Sequence, residues 1–222
     1  MNKALIIILC NIALYGCAHA YPDNTAQTET PAAETEARTF VYECPDDFSF
    51  VARTESGKIW LFLPGNTIDL PQVPSASGTK YSNGSDTFWS KSDEALIETG
   101  DDRHAGCRNN HARAIWEHAK LNGVDFRALG NEPGWHMEIS NKRDILLVTD
   151  YGQRTYRFTS SSIKPEPDNR TTTYSASSND NMIEVVIKGD PCRDSMSGEA
   201  FAATVSVVVD DRRYTGCGKA LH

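Results

Sequence analysis

The sequence predicts an all-β protein built from two antiparallel units joined by one short helix. Three observations carry this reading. Short alternating segments recur every eight to ten residues with turn residues between them, the apolar period changes once, over 109–123, and the cysteines that follow the leader number four.

The first twenty residues, "MNKALIIILCNIALYGCAHA", hold one early lysine, an apolar run from Ala4 to Tyr15 and then small residues. This is the layout of an export signal, and the run is too short for a membrane span, which needs about 20 apolar residues. Two processing sites compete. "LYGC", ending at Cys17, resembles the bacterial lipobox, in which the cysteine becomes the lipidated first residue; "AHA" before Tyr21 suits ordinary cleavage. A signal peptide over residues 1–17 that ends in this lipobox is the preferred reading. Ala18, rather than an aspartate, follows Cys17, which points to an outer-membrane lipoprotein facing the periplasm; ordinary cleavage would give a soluble periplasmic protein. Residues 18–39 are rich in Pro, Thr, Ala and Glu and cannot bury a core, so they are read as a flexible tether.

From 40 to 108, the segments "FVYEC", "FSFVART", "KIWLFL", "TKYS", "TFWSK" and "ALIETG" alternate with the turn signals "CPDD", "ESGK", "LPGN", "SNGSD" and "GDDR". Many short strands with regular turns argue a sandwich or a small barrel. "NNHARAIWEHAKLNG" (109–123) then places Ala112, Ile115, Trp116, Ala119 and Leu121 on a helical stripe, with Gly123 as its stop. His111 and His118 fall seven apart on roughly one face. From 124 to 222, "WHMEIS", "DILLVTDYG", "RTYRFTS", "TTTYSAS", "MIEVVIKG", "ATVSVVVD" and "RRYTGCG" make a second β unit.

In an oxidising compartment the four cysteines read as disulfides, and two local pairs, Cys44 with Cys107 and Cys192 with Cys217, close one unit each. The first closure stabilises by about 4 kcal/mol on the loop-entropy model, and the second by about 3 to 4 kcal/mol. Zinc is the rival for His104, Cys107 and His111, but no C-x-x-C or H-x-x-x-H spacing supports it. No cofactor is expected. The net charge of −8 argues against a default nucleic-acid binder and favours basic partners.

Enzymatic motifs fail one by one. Ser77-Gly-Thr-Lys80 has the S-x-x-K spacing of penicillin-recognising enzymes but reads as the start of a strand, and no S-D-N or K-T-G follows. No G-x-S-x-G or H-E-x-x-H occurs. Ser195 and Ser197 in "CRDSMSG" read as turn residues beside a cysteine. Hairpin geometry is more informative. An odd loop centred on Gly84 makes partner numbers sum to 168 and sets Ser77 opposite Lys91, whereas a two-residue Asn83-Gly84 turn pairs Ser77 with Ser90.

Several motifs in order, namely "YEC", "SASGTKY" (pattern S-G-x-x-Y), "FWSK" (pattern W-x-K), "ALIETG" and a closing cysteine, make residues 40–107 resemble the membrane-bound inhibitors of C-type lysozyme. The resemblance implies an eight-stranded antiparallel barrel that lays a loop into the lysozyme cleft. It assigns lysozyme contact to Ser77 and Lys91, with Gly78 and Tyr81 in the same motif. Ser92 departs from the family, which has glycine after its lysine. C-type lysozyme works with two carboxylates, so a lysine ammonium set between them occupies the sugar site. On this reading the protein is not an enzyme, its partners are C-type lysozyme and, through a lipid anchor, a membrane, and the alternative is a non-inhibitory envelope binding or structural module. The segments "FRALGNEPGWHMEI", "CRDSMSG" and "GCGKAL" are similar to an uncharacterised bacterial envelope domain, a likeness that brings no activity. Glu132, Trp135, Asp194 and Ser197 there are read as structural.

Overall fold

Eight strands follow one another around a closed barrel: β1 (Arg38–Glu43), β2 (Ser49–Glu55), β3 (Lys58–Leu63), β4 (Asn66–Val73), β5 (Thr79–Ser82), β6 (Thr87–Lys91), β7 (Glu94–Thr99) and β8 (Asp102–Asn109). The computed structural model describes residues 36–178 and 181–222. The signal, Cys17 and most of the expected tether lie outside the described residues. Period-two alternation sends Phe50 and Ala52 of β2, Ile59 and Leu61 of β3, Phe88 of β6 and Ile97 of β7 inward, where they pack around Tyr42. The rings of Tyr42, Phe50 and Phe88 meet pairwise at centroid distances of 5.4 to 6.1 Å.

Closure is narrow. β1 and β8 share two residue pairs, Tyr42 with Asn109 and Glu43 with Arg108. The Cys44–Cys107 disulfide joins the residue just past β1 to β8 next to this seam, as expected from the sequence. Beyond the seam the Asn109 side chain accepts from the Val41 amide (3.1 Å) and Asn110 N donates to the Val41 carbonyl (2.7 Å). The chain thus passes directly from the barrel into α1 (His111–Leu121). Asn110 caps this helix by accepting from Arg113 N, and Gly123, at φ +77°, ends it with its amide on the Lys120 carbonyl.

The helix packs against β1 and against the next strand, β9 (Val124–Asn131). Serving two neighbours, it does not bury the single stripe expected from the sequence: Ala114, Trp116 and Ala119 are buried, while Ala112 and Ile115 are exposed. Trp116 meets the Phe201 ring in a tilted contact at 5.2 Å and carries the Lys219 ammonium 4.5 Å from its ring centroid.

The second sheet has nine antiparallel strands. After β9 come β10 (Gly134–Ser140), β11 (Asp144–Thr149), β12 (Arg154–Thr159), β13 (Ser162–Glu166), β14 (Thr171–Ser178) and β15 (Asn181–Lys188). A two-stranded pair, β16 (Cys192–Arg193) and β17 (Ala200–Phe201), precedes β18 (Ala203–Val209) and β19 (Arg212–Ala220). The spatial order is β12-β11-β10-β9-β19-β18-β15-β14-β13. Consecutive β12 and β13 therefore occupy opposite edges. They are joined by a corner at which Ser160 N reaches the Arg143 carbonyl and Ser161 N the Ser175 carbonyl, so the sheet curls until its edges meet. Inside lie Met137, Ile139, Ile145, Leu147, Val185, Val205 and Val207. Cys192–Cys217 fastens the β16–β17 pair to β19.

Replacing Cys44 and Cys107 together by alanine is expected to lower unfolding free energy by about 2 to 5 kcal/mol, read by denaturant titration of the oxidised parent and the variant.

Candidate functional site

The motif residues gather at one end of the barrel, around the β5–β6 hairpin and the β6–β7 turn. The observed register differs from both expectations. Thr79 pairs with Ser90, Lys80 with Trp89, Tyr81 with Phe88 and Ser82 with Thr87, so partner numbers sum to 169. The cause is the turn. Asn83 Oδ1 accepts from Ser85 N and Asp86 N at 3.0 and 2.7 Å, and Asn83 N donates to the Asp86 carbonyl, closing a loop over Asn83–Asp86 rather than over Asn83-Gly84 alone.

One step of register changes which residue faces Lys91. Gly78, not Ser77, lies opposite it: a Cβ on Gly78 would sit 3.2 Å from Lys91 Cβ and collide with the Ser90 carbonyl oxygen. Gly78 also has φ +68°, where glycine alone is unstrained. Ser77 precedes β5 in an exposed bend. Its carbonyl is held by Trp89 Nε1 (2.8 Å) and Ser75 Oγ (2.7 Å), while its hydroxyl makes no hydrogen bond among the described residues. The tryptophan of the W-x-K pattern thus pins the serine segment. Tyr81 is 6% exposed and belongs to the barrel core, so it supports the hairpin from within rather than from the surface.

Lys91 ends β6, is exposed, and among the described residues its ammonium has no hydrogen-bond or ion-pair partner. Beside it, Ser92 takes φ +54°, a left-handed position that suits the glycine it replaces. The following Asp93 is bound twice, its carboxylate to His111 Nε2 at 2.9 Å and its carbonyl to Asn109 N at 2.9 Å. A cleft of about 750 Å³ opens next to Lys91, lined among others by Tyr42, Ser90, Asp93, His111 and Ile115. Burial pushes the Tyr42 hydroxyl up to about 12, against the lowering effect of its hydrogen bond with Ser90, so this hydroxyl stays protonated at physiological pH. Lys91 shares this cleft with Arg38, whose guanidinium lies 6.0 Å from the Phe40 ring centroid.

Residues 42–105 match the family of membrane-bound lysozyme inhibitors of C-type lysozyme. A similar protein is the "membrane-bound lysozyme inhibitor of C-type lysozyme" of Yersinia enterocolitica serotype O:8 / biotype 1B (strain NCTC 13174 / 8081), 33% identical over 88 residues. The alignment covers 39% of this chain and 64% of the relative, so the chain spans just under two thirds of that protein's length. No solved structure matches. The matched residues run from β1 into β8 and hold every residue of the hairpin site, whereas α1 and the second sheet fall outside them. The family description and the relative's name both speak of membrane-bound inhibition of C-type lysozyme.

The remaining candidates have local roles. Ser77-Gly-Thr-Lys80 enters a strand, which separates its serine and lysine in direction. Cys107 is consumed in a disulfide, His104 pairs with Asp46, and among the described residues no group of three His, Cys, Asp or Glu is placed to hold a metal. Trp135 is buried, donates to the Thr215 carbonyl (3.2 Å) and lies against Gly130 and Gly216, where any Cβ would strike its ring. Glu132 precedes a cis peptide to Pro133 in the β9–β10 turn. Ser195 Oγ accepts from Asn131. Asp194 organises its loop, accepting from Ser197 N and Oγ (both 2.7 Å), Met196 N (3.2 Å) and Asn131 Nδ2 (2.6 Å). Burial alone raises its carboxyl, and these hydrogen bonds together outweigh it, holding the group below the usual carboxylate range.

Gly78→Ala is expected to lower stability by about 1 to 3 kcal/mol, since it adds both backbone strain and a clash with β6; thermal unfolding against the parent measures it. Asp194→Ala should cost about 1 to 3 kcal/mol at neutral pH. Because the folded-state carboxyl is depressed, its contribution is complete above the unfolded carboxylate range and is lost as pH falls through the lower folded value, so parent and variant should converge in acid.

Proposed function

We propose that this chain is a bacterial envelope lipoprotein that inhibits C-type lysozyme by inserting the end of the hairpin bearing Ser77 and Lys91 into the active-site cleft. The observation that carries the reading is the exposed, unpartnered ammonium of Lys91, fixed at a strand end by the register of β5 and β6 and by the Ser92-Asp93 turn. Most cations on this barrel are already engaged: Arg108 with Glu94, Arg103 with Glu98, Lys58 with Asp69. Among the described residues of the barrel, Arg38, Lys80 and Lys91 have no ion-pair partner, and of these Lys91 is the one that ends β6 within the W-x-K motif. A site with two carboxylates, one of raised pKa, offers it a charge-assisted partner on each side. The Ser77 hydroxyl, one bend away, supplies a neutral donor.

The inhibitory role is assigned to residues 40–108, with 124–222 a second β domain of separate, unassigned role, and the whole acts by binding rather than by catalysis. Lipidation at Cys17 would place it on the outer membrane facing the periplasm. The net charge of −8 suits a basic target, since opposite net charge speeds encounter.

Lys91→Ala is expected to weaken inhibition about 10-fold to 100-fold with no change in melting temperature, because a hydrogen bond to a charged group contributes about 1.5 to 3 kcal/mol. Ser77→Ala should cost less. The Lys91 loss should shrink as salt rises. Titration of lysozyme activity with each purified variant is the measurement, and undiminished inhibition by Lys91→Ala would refute the plug.

A further inference from the structure

Ile115 is an anomaly of the helix: a large aliphatic side chain left 51% exposed in an element only eleven residues long. It does not face open solvent at random. His111, Ile115 and His118 stand at i, i+4 and i+7, on one helical face, and all three line the cleft that also holds Ser90, Lys91 and Asp93. The helix is fixed in that position. His111 Nε2 meets the Asp93 carboxylate at 2.9 Å, two residues from Lys91, and His118 Nδ1 meets Thr39 Oγ1 of β1 at 3.1 Å.

We infer that α1 is part of the lysozyme-binding surface, with Ile115 buried against the rim of the enzyme's cleft when Lys91 enters it. This rests on the inhibitory reading of Lys91. Continuity supplies the reason for this occupant. A stable protein interface covers about 800 Å² on each partner, far more than a hairpin end of three or four residues provides, so an enzyme that takes Lys91 must lay further surface around it. The wall immediately beside Lys91 is the helix face. An aliphatic side chain ringed by two histidines and Asp93 is the arrangement of an apolar contact with a polar rim. The helix lies beyond the residues matched to the inhibitor family, so this contact is an addition carried by the rest of the chain.

The test uses the full chain, with hen egg-white lysozyme as the C-type enzyme. Ile115→Ala, Ile115→Leu and Lys91→Ala are titrated against its activity. Alanine favours the helix and Ile115 touches little of the core, so folding is undisturbed, and circular dichroism checks this. Ile115→Ala should raise the inhibition constant about 5-fold, from loss of roughly half of an isoleucine's burial, and Ile115→Leu should restore it. If Ile115→Ala inhibits like the parent while Lys91→Ala is impaired, the helix contact is overturned and the hairpin plug stands. If the parent itself leaves lysozyme untouched, both fall.

Discussion

Two residue pairs between β1 and β8 are all that the ladder contributes to closing the barrel. An eight-stranded barrel held at one seam by so few backbone hydrogen bonds would open there first, and opening would release β1 with the Tyr42 ring that anchors the aromatic core. Three independent devices cover this weakness: the Cys44–Cys107 bond, the Asn109 and Asn110 bonds to Val41, and the packing of α1 on β1. The last of these links the seam to the functional end. Because the same helix is tied through His111 to Asp93, the turn that presents Lys91 and the closure of the barrel share one support. Lys91 stays in register as long as the seam is shut.

The sequence disclosed the architecture more readily than the register. Strands with strong alternation, such as β2, β3 and β6, and the pairing of Cys44 with Cys107 and of Cys192 with Cys217 were legible, because burial on one face leaves a period-two pattern and local pairs close each β unit. β4 and β8 were not. β4 carries Pro71 and buries only Leu70, and β8 begins at Asp102-Arg103, the end of the turn signal "GDDR", and buries only Cys107. Strands whose inward side chains are few leave no period to find.

At the site, the motifs located Ser77 and Lys91, but their relation depended on a side chain. Asn83 closes its turn through its own carbonyl, which lengthened the loop and moved Gly78 opposite Lys91. Likewise, Ile115 was legible as apolar and helical, and its exposure was not, since a helix wedged between two β units buries residues on more than one side. Both misjudgements concern residues whose surroundings come from distant parts of the chain, which is where pattern reading has least to work with.

The curled second sheet has a bearing on how crowded copies of this protein behave. A nine-stranded sheet left open would present two unpaired edges, each a template for another chain. Here the edges converge on the Ser160–Ser161 corner, and the outermost strand β13 is short, exposed along nearly its whole length and interrupted by Pro165 between Lys164 and Glu166. Proteins concentrated on a surface meet one another far more often than proteins in dilute solution. A short, proline-interrupted β13 makes that edge a poor template for cross-chain strand addition under such crowding.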